Sequence, residues 1–280
     1  MTLESCFHLE SDSASVQFWT DKRLPFEPTG QMLDARNSLR SALRRLAPGQ
    51  KKILLATYSS LDQSFCDAEN ILLYNVGAAT FEPVATTGVR FDRIHIAPSA
   101  SPSGRYFKHH HYYRLGEASH LTAGPPDVSL TFLLSSLTSS TKPHEIWWPA
   151  SESGTAPTRT FPGSFEMRIV LRFPSPFRNL TSVIKPLLDG VICAFHSQPN
   201  PDLIAVKRLG EKTGLNSEMI LNRLQFPRTH ILGPRRLLET YRDFVKWNPA
   251  DELCEACTVL YEPSSLRQCI VDVWDRQKPR

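Results

Sequence analysis

The stretch SFEMRIVLRFP at residues 164–174, followed by NLTSVIKPLLDGVICAFH at residues 179–196, decides which fold the chain adopts. In the first segment every second residue is apolar, which is the period of a strand with one buried face. In the second, apolar residues recur every three or four positions, which is the period of a helix with one buried face. A strand followed directly by a helix predicts an α/β or α+β protein with a mixed sheet and flanking helices.

The rest of the chain contains further segments with helical or strand periods. Helices are predicted at 34–46, 201–210, 216–224 and 234–246, and strands at 51–59, 70–76, 88–97, 128–134, 145–150 and 257–262. Residues 152–162 are rich in Ser, Thr, Pro and Gly and have no period, so they predict a boundary between subdomains. We expect an N-terminal α/β subdomain at 1–150 and a C-terminal strand–helix subdomain with a helical tail at 163–280.

Composition narrows the class of protein more than its function. The chain has 280 residues, 41% hydrophobic and 21% charged, which is typical of a globular protein with a substantial core. The formal charge of +4 permits an anionic partner without requiring one. No targeting signal and no apolar run long enough for a membrane span is visible, so the sequence predicts a cytoplasmic protein without membrane contact. A homo-oligomer is compatible with the sequence.

Several common chemistries lose support because their motifs are missing. The chain has neither of the glycine-rich phosphate-binding loops GxxxxGK[ST] and GxGxxG, and it has no GxSxG or HExxH. Cys254, Cys257 and Cys269 could supply three ligands of a zinc site, which normally has four. The alternative is that they are small buried side chains at the end of a helix.

The segment at 179–190 resembles the signature of RusA-type crossover-junction endonucleases, which is approximately D-x-D-N-L-x-K-x-x-x-D on a helix after a strand. Lys185 and Asp189 match the lysine and the last aspartate, whereas Asn179 and Thr181 replace the two leading acids. The resemblance implies Mg²⁺-dependent hydrolysis of phosphodiesters, and Mg²⁺ prefers carboxylate ligands. Neutral side chains at 179 and 181 therefore predict a site that has lost its metal. Lys185 and Asp189 could equally form a local ion pair between successive helical turns.

An acidic opening of the same kind occurs in the first half of the chain. Residues 66–71 read CDAENI, so Asp67 and Glu69 take the places of the two leading acids, but the later lysine and aspartate are absent. If both similarities are real, the chain holds two diverged copies, one with acids and one with the lysine. The alternative is a polar turn that caps the element beginning at Asn70.

Candidate nucleic-acid contacts come from clusters of cations and aromatic residues. The segment KHHHYYR at 108–114 suits phosphates and unpaired bases, and His109 with His111 could instead hold a metal with Asp92 or His95. A third interpretation is a solvated strand at the edge of a sheet. The predicted nucleic-acid contacts are Arg44, Arg45, Lys51, Lys52, Arg105, Lys108, His109, His111, Tyr112, Arg235 and Arg236.

Three functions follow. The leading one is a catalytically degraded nuclease-like protein that binds nucleic acid or a protein partner and has no assured cofactor. The second is an active, structure-selective endonuclease that uses Mg²⁺ or Mn²⁺ held by Asp67 and Glu69, with Lys185 and Asp189 in the catalytic site. The third is a scaffold subunit without a nucleic-acid role that contacts protein through an exposed Trp147 and its neighbour Trp148 and through proline-rich loops. Convergence of Asp67, Glu69 and Asp189 in space would favour the second, because carboxylates more than about 10 Å apart cannot share metal ions.

Overall fold

The computed structural model describes residues 5–47, 52–62, 67–118, 124–154 and 160–277. The strands are β1 (Phe7–Ser11), β2 (Ser15–Thr20), β3 (Lys52–Ser60), β4 (Gly88–Ile94), β5 (His109–Glu117), β6 (Val128–Leu133), β7 (Phe165–Phe173), β8 (Leu238–Tyr241), β9 (Phe244–Trp247), β10 (Cys254–Pro263) and β11 (Gln268–Asp275). The α-helices are α1 (Gln31–Leu43), α2 (Pro143–Glu152), α3 (Thr181–Cys193), α4 (Leu203–Thr213) and α5 (Ser217–Gln225). None of these helices has the length and hydropathy of a bilayer-spanning segment within the described ranges.

Nine strands form one mixed sheet in the order β1-β2-β5-β3-β4-β10-β7-β11-β6, and β8 with β9 forms a separate hairpin. The predicted fold class, a mixed sheet with flanking helices, is confirmed. β7 and α3 form as predicted. The alternating apolar side chains of β7 and the apolar side chains of α3 belong to one buried cluster. That cluster holds the helices against the sheet, because burying apolar surface is the main favourable term in folding.

The sheet repeats the same arrangement on both sides of its central antiparallel pair, β4 and β10. Outward from the centre, one side has β4-β3-β5-β2 and the other has β10-β7-β11-β6. On each side the innermost pair is parallel and the next two pairs are antiparallel. We call β2–β5 with their helices the first half, and β6, β7, β10 and β11 with theirs the second half.

Chain order is the same in both halves. The first half runs β2, α1, β3, a helical segment at 70–81, β4 and β5, and the second runs β6, α2, β7, α3, β10 and β11. The second half differs by an insertion of α4, α5 and the β8–β9 hairpin between α3 and β10. Equal order, equal pairing and an antiparallel centre together give an approximate two-fold arrangement within one chain.

This arrangement affects the predicted subdomains. Residues 128–152, expected in the subdomain 1–150, form β6 and α2. These pair with β11 and pack on α3, so they make their contacts in the second half. Gly190 of α3 allows the close approach of α2, because a Cβ there would lie 2.6 Å from the Cβ of Ile146. Residues 155–159, which belong to the predicted boundary at 152–162, lie outside the described residues. The division at 150 and 163 remains a prediction.

Three predicted elements are wrong. Residues 70–74 form a π-helical turn and 143–152 an α-helix where strands were expected, and 238–247 form a hairpin where a helix was expected. A short apolar run has no period that separates a buried strand from a buried helical turn. In the hairpin, apolar residues three apart flank a two-residue turn and so mimic a helical face. Strands β1, β2 and β11 were not predicted, and β5 was considered only as one interpretation of the histidine segment.

Candidate functional site

Four carboxylates surround the ammonium group of one lysine where the two halves meet. Lys185 Nζ lies 3.9 Å from Oδ2 of Asp67, 3.1 Å from Oε1 of Glu69 and 2.9 Å from Oδ1 of Asp189. It also donates a hydrogen bond to Oδ2 of Asp251. Asp67, Glu69 and Asp189, the three acids whose convergence was the deciding question, therefore lie around one atom. We call Asp67, Glu69, Lys185, Asp189 and Asp251 the acidic cluster.

The first half supplies Asp67 and Glu69 from the start of its helical segment. Ile71 N donates to the carbonyl of Asp67 at 3.2 Å, and Asn75 N donates to the carbonyl of Asn70 at 2.7 Å, which widens the next turn into a π-helix. π-Helical turns inside helices frequently occur at functional sites. The Asn70 side chain also donates a hydrogen bond to the Asp67 carboxylate and so orients it. Glu69 is buried, whereas Asp67 is partly exposed.

The second half supplies Lys185 and Asp189 from α3, at the spacing of one helical turn. Their ion pair was one of the two interpretations of the sequence, but it is only a part of the arrangement. The contact of Lys185 with Glu69 joins residues 116 positions apart in the chain. A local pair would not require that contact, so α3 packs in a way that brings the lysine to the acids of the other half.

Asp251 was not predicted from the sequence. It begins a single 3-10 turn, Asp251–Leu253, directly before β10, and it is buried. Arg235 holds this turn, because its Nη1 donates to Oε1 of Glu252 at 2.8 Å and its Nε to the carbonyl of Asn248 at 3.0 Å. The sequence offers only a weak signal: an acid immediately before a buried strand, with no spacing that relates it to Lys185.

Three carboxylates of the cluster, those of Asp67, Glu69 and Asp189, have pKa values above their ordinary ones. Burial, reinforced by the neighbouring carboxylates, raises the pKa of Glu69 to about 8, and burial raises the pKa of Asp189 to about 6. Burial and the charge of Asp251 raise the pKa of Asp67. Burial alone would lower the pKa of Lys185, but Glu69, Asp189 and Asp251 raise it above its ordinary value. The single positive charge of Lys185 therefore does not compensate the negative charge of four carboxylates.

The donor set fits a hard divalent cation. Asp67, Glu69 and Asp251 each offer a carboxylate oxygen, and the three oxygens lie within 4.8 Å of one another. They form the only such group of three or more among the residues that the structure describes. Oε2 of Glu69 is buried without a hydrogen-bond partner, which is costly for a carboxylate oxygen unless a cation completes it. Mg²⁺ and Mn²⁺ prefer such oxygen ligands.

The N-terminal end of α3 makes a further contact with the first half. In the RusA-like register Thr181 corresponds to Glu69, and its Oγ1 lies 2.9 Å from the carbonyl oxygen of Ala78. The same hydroxyl lies 2.7 Å from Oδ1 of Asn179. In the first half, Leu73 and Gly77 occupy the motif positions that Lys185 and Asp189 occupy in the second half. We call Asn179, Thr181, Leu73 and Gly77 the neutral counterpart.

The backbone of the neutral counterpart excludes an acid at position 77. Gly77 has a backbone φ of 109°, which residues other than glycine rarely adopt. A Cβ there would also lie 2.5 Å from Nη2 of Arg40, whose Nε donates a hydrogen bond to the carbonyl of Val76. The guanidinium of Arg40 thus lies beside Gly77, the residue that corresponds to Asp189 in the motif register.

A cavity of about 1400 Å³ adjoins the acidic cluster through Asp67. Its lining includes Lys108 and His109, two of the predicted nucleic-acid contacts, and neither Arg44, Arg45 nor Lys52 lines it. Arg105 lies near its rim, where it pairs with Asp21 at 2.7 Å. Arg235 and Arg236 are engaged elsewhere, with Glu252 and Glu239. Lys51 lies outside the described residues.

The histidine segment does not form the metal site that was one of its interpretations. His111 is fully buried in the core, so its side chain cannot contact nucleic acid, which corrects that prediction. Burial lowers the pKa of His111 to about 3. His109 is also buried, with Nδ1 2.7 Å from the hydroxyl of Tyr58. Asp92 pairs with Arg90 and His95 with Glu255. Tyr112 is half-buried on β5.

Two other predictions also change with the positions of the side chains. Cys254, Cys257 and Cys269 are buried on β10 and β11, not at the end of a helix, and no cysteine joins a metal-ligating group within the described ranges. Cys66 lies outside those ranges. Trp147 is buried with 1% of its surface exposed, so the protein contact through an exposed Trp147 is wrong.

Comparisons of the chain with protein-family models, with curated proteins and with solved structures give no match. The geometry of the acidic cluster is therefore the main source of functional inference.

Proposed function

We propose that the chain is a divalent-metal-dependent endonuclease that hydrolyses phosphodiester bonds at the acidic cluster. One observation carries the proposal: the two leading acids found only in the first half meet the lysine and the aspartate found only in the second half. Each half alone has part of the RusA-like signature, and the folded chain brings the parts together around Lys185 Nζ. Of the functions predicted from the sequence, this geometry favours the active endonuclease over the degraded one.

Under this proposal, the acidic residues bind the metal ion and the lysine stabilises the phosphate. Asp67, Glu69 and Asp251 would hold Mg²⁺ or Mn²⁺, which when bound acts as a Lewis acid and lowers the pKa of a water molecule. Lys185 would place its ammonium beside a phosphate oxygen and stabilise the negative charge that grows there. Asp189 keeps the lysine in position through their 2.9 Å contact. The substrate would enter from the cavity beside Asp67, since Glu69 lies deeper.

A specific observation favours a second candidate, binding of nucleic acid without cleavage. Lys185 already contacts all four carboxylates, so an internal cation partly fills the position that a metal ion would take. In that case the cluster would be structural and the cavity would act as a binding surface. The raised pKa values of Glu69 and Asp189 argue against full compensation by the lysine.

The two candidates separate in a cleavage assay. Purified protein is incubated with branched, single-stranded and duplex DNA in Mg²⁺, in Mn²⁺ or in EDTA. We expect metal-dependent scission that falls at least about 100-fold in Asp67→Asn, because even the outer partners of metal ligands are worth 10–100-fold. Asp34→Asn, an exposed acid on α1, is the matched control and should cleave like the wild type.

Absence of scission with every substrate and both metals would reject the endonuclease. Scission that survives in Asp67→Asn would show that the activity comes from elsewhere, including a contaminant.

A further inference from the structure

The cavity beside the acidic cluster has an exposed aromatic pair on its wall. Phe26 and Tyr74 stack with their ring centroids 5.5 Å apart and their planes inclined by 10°. Phe26 is 57% exposed and Tyr74 is 45% exposed, although large apolar rings are usually buried. Tyr106, which also lines the cavity, is 77% exposed. Rings held flat in this way can stack with a planar ligand at small cost in side-chain entropy.

Charge and size add to the pattern. The exposed side chains of Lys22, Arg23 and Lys108 line the same cavity. Acidic groups on the lining are Asp21, which pairs with Arg105 at 2.7 Å, Asp62 and Asp67 of the acidic cluster. A cavity of about 1400 Å³ exceeds the range of roughly 300–1,000 Å³ that small ligands occupy. The cationic side chains suit phosphates and the aromatic rings suit bases. The volume suits several repeating units of a polymer.

We propose that this cavity binds unpaired nucleotides of a DNA strand, whose bases stack on Phe26 and Tyr74 and whose phosphates contact Lys22 and Lys108. The inference rests on the proposed function, because it names the substrate that the acidic cluster would cut. Stacking needs a free base face, which a paired and stacked duplex does not offer. Tyr74 belongs to the same π-helical turn that follows Asp67, so the stacked base and the carboxylate are held by one element.

Binding in EDTA tests the inference independently of cleavage. The probes are a fluorescent single-stranded DNA of mixed sequence, about 12 nucleotides long, and the same sequence as a duplex, because single-strand sites span about 4–16 nucleotides. We expect tighter binding of the single strand. Phe26→Ala and Tyr74→Ala should each weaken it about 5- to 100-fold, which corresponds to the 1–3 kcal/mol of one stacked base. Duplex binding should change less than about twofold.

The β8–β9 hairpin provides a matched control pair. Tyr241 and Phe244 are 46% and 53% exposed, and their centroids lie 5.1 Å apart. Tyr241→Ala and Phe244→Ala remove similar surface aromatics that do not line the cavity, and they should leave single-strand binding unchanged. Phe26→Trp keeps a stacking ring and should retain affinity, and thermal unfolding would confirm that each variant is folded.

The phosphate contacts have a separate signature. In the double variant Lys22→Gln and Lys108→Gln, the slope of log affinity against log salt should fall by about 1.4, because each phosphate contact on a single strand contributes about 0.7. Equal affinity for the duplex and the single strand, or equal losses in the Phe26 and Phe244 variants, would overturn the inference. If strand scission is absent but these binding results hold, the proposed endonuclease fails and the nucleotide-binding cavity stands.

Discussion

In the middle of α3, Lys185 and Asp189 face the carboxylates of the first half, whereas at its N-terminal end the hydroxyl of Thr181 lies close to the carbonyl of Ala78. In the motif register Thr181 corresponds to Glu69, so the two sets of contacts can be compared directly. The neutral counterpart satisfies its polar groups internally, with the hydroxyl of Thr181 close to two oxygen acceptors. The acidic cluster does not, because Oε2 of Glu69 has no partner and the pKa of Glu69 is raised.

The difference supports the assignment of the proposed function to the acidic cluster. A structural contact between the halves needs only what the neutral counterpart has: packed apolar atoms and paired hydrogen bonds. Four carboxylates around one lysine are electrostatically costly, and such clusters with shifted pKa values are typical of functional sites. The experiments that follow change one member of the comparison at a time.

The largest expected effect concerns the number of incisions. A two-fold arrangement with one complete site should cut one strand for each binding event, so supercoiled circular DNA with an unpaired segment should become nicked. We expect nicked product to accumulate well before linear product under single-hit conditions, measured on gels. Linear DNA that forms as fast as nicked DNA would contradict the assignment of the neutral counterpart as inactive.

Removal of the central lysine should have the next largest effect. Lys185→Met leaves four carboxylates without their partner, so the free energy of unfolding in EDTA should fall by about 3–5 kcal/mol. Added Mn²⁺ should restore more stability in the variant than in the wild type. Leu73→Met at the corresponding position is the control, and it should cost less than about 1.5 kcal/mol. Equal effects of the two substitutions in urea unfolding would remove the distinction.

The pH dependence of stability should differ between the cluster and its counterpart. Glu69 has a pKa of about 8 in the folded protein and 4.5 ordinarily, so between these values the folded state retains a proton that the unfolded chain has lost. The free energy of unfolding in EDTA should therefore fall as the pH rises, by at most about 1.4 kcal/mol for each pH unit.

Asp189, with a pKa of about 6, acts in the same direction at lower pH. Lys185, Asp67 and Asp251 face Glu69 and set the size of the effect. In Glu69→Gln the slope should be smaller, and Asn179→Ala should leave it unchanged. A slope that is identical in all three proteins, measured by urea unfolding at several pH values, would contradict the assignment.

The smallest effect is expected in the neutral counterpart. Thr181→Val removes a hydroxyl and keeps the shape of the side chain, so stability should fall by about 0.5–1.5 kcal/mol through the lost hydrogen bond. Cleavage rates should stay within about twofold of the wild type. A much larger loss of cleavage would mean that this end of α3 takes part in the reaction.

The comparison also shows what the sequence could and could not predict. β7 and α3 were predicted because strict alternation and a helical stripe leave one interpretation each. Residues 70–74 were predicted as a strand because an uninterrupted apolar run carries no period. Their helical form depends on hydrogen bonds and packing that the local sequence does not show.

The residues of the site were likewise predictable only as far as local sequence patterns show them. Asp67, Glu69, Lys185 and Asp189 were recognised as parts of short motifs, but each motif alone was incomplete, so the leading interpretation was a degraded site. Their convergence joins positions 116 residues apart, and Asp251 joins Lys185 across 66 residues. No pattern within one segment encodes such a contact, because it arises from the packing of the two halves across β4 and β10.

A chain that contains two halves of matching topology is free of a constraint that symmetric dimers obey. When two identical subunits assemble, every substitution appears twice, so a glycine in place of a catalytic acid would abolish both centres together. Here Gly77 and Arg40 occupy one location while Asp189 remains at the other. Under the proposed function, a single chain thus uses one location for chemistry and the other for structural support.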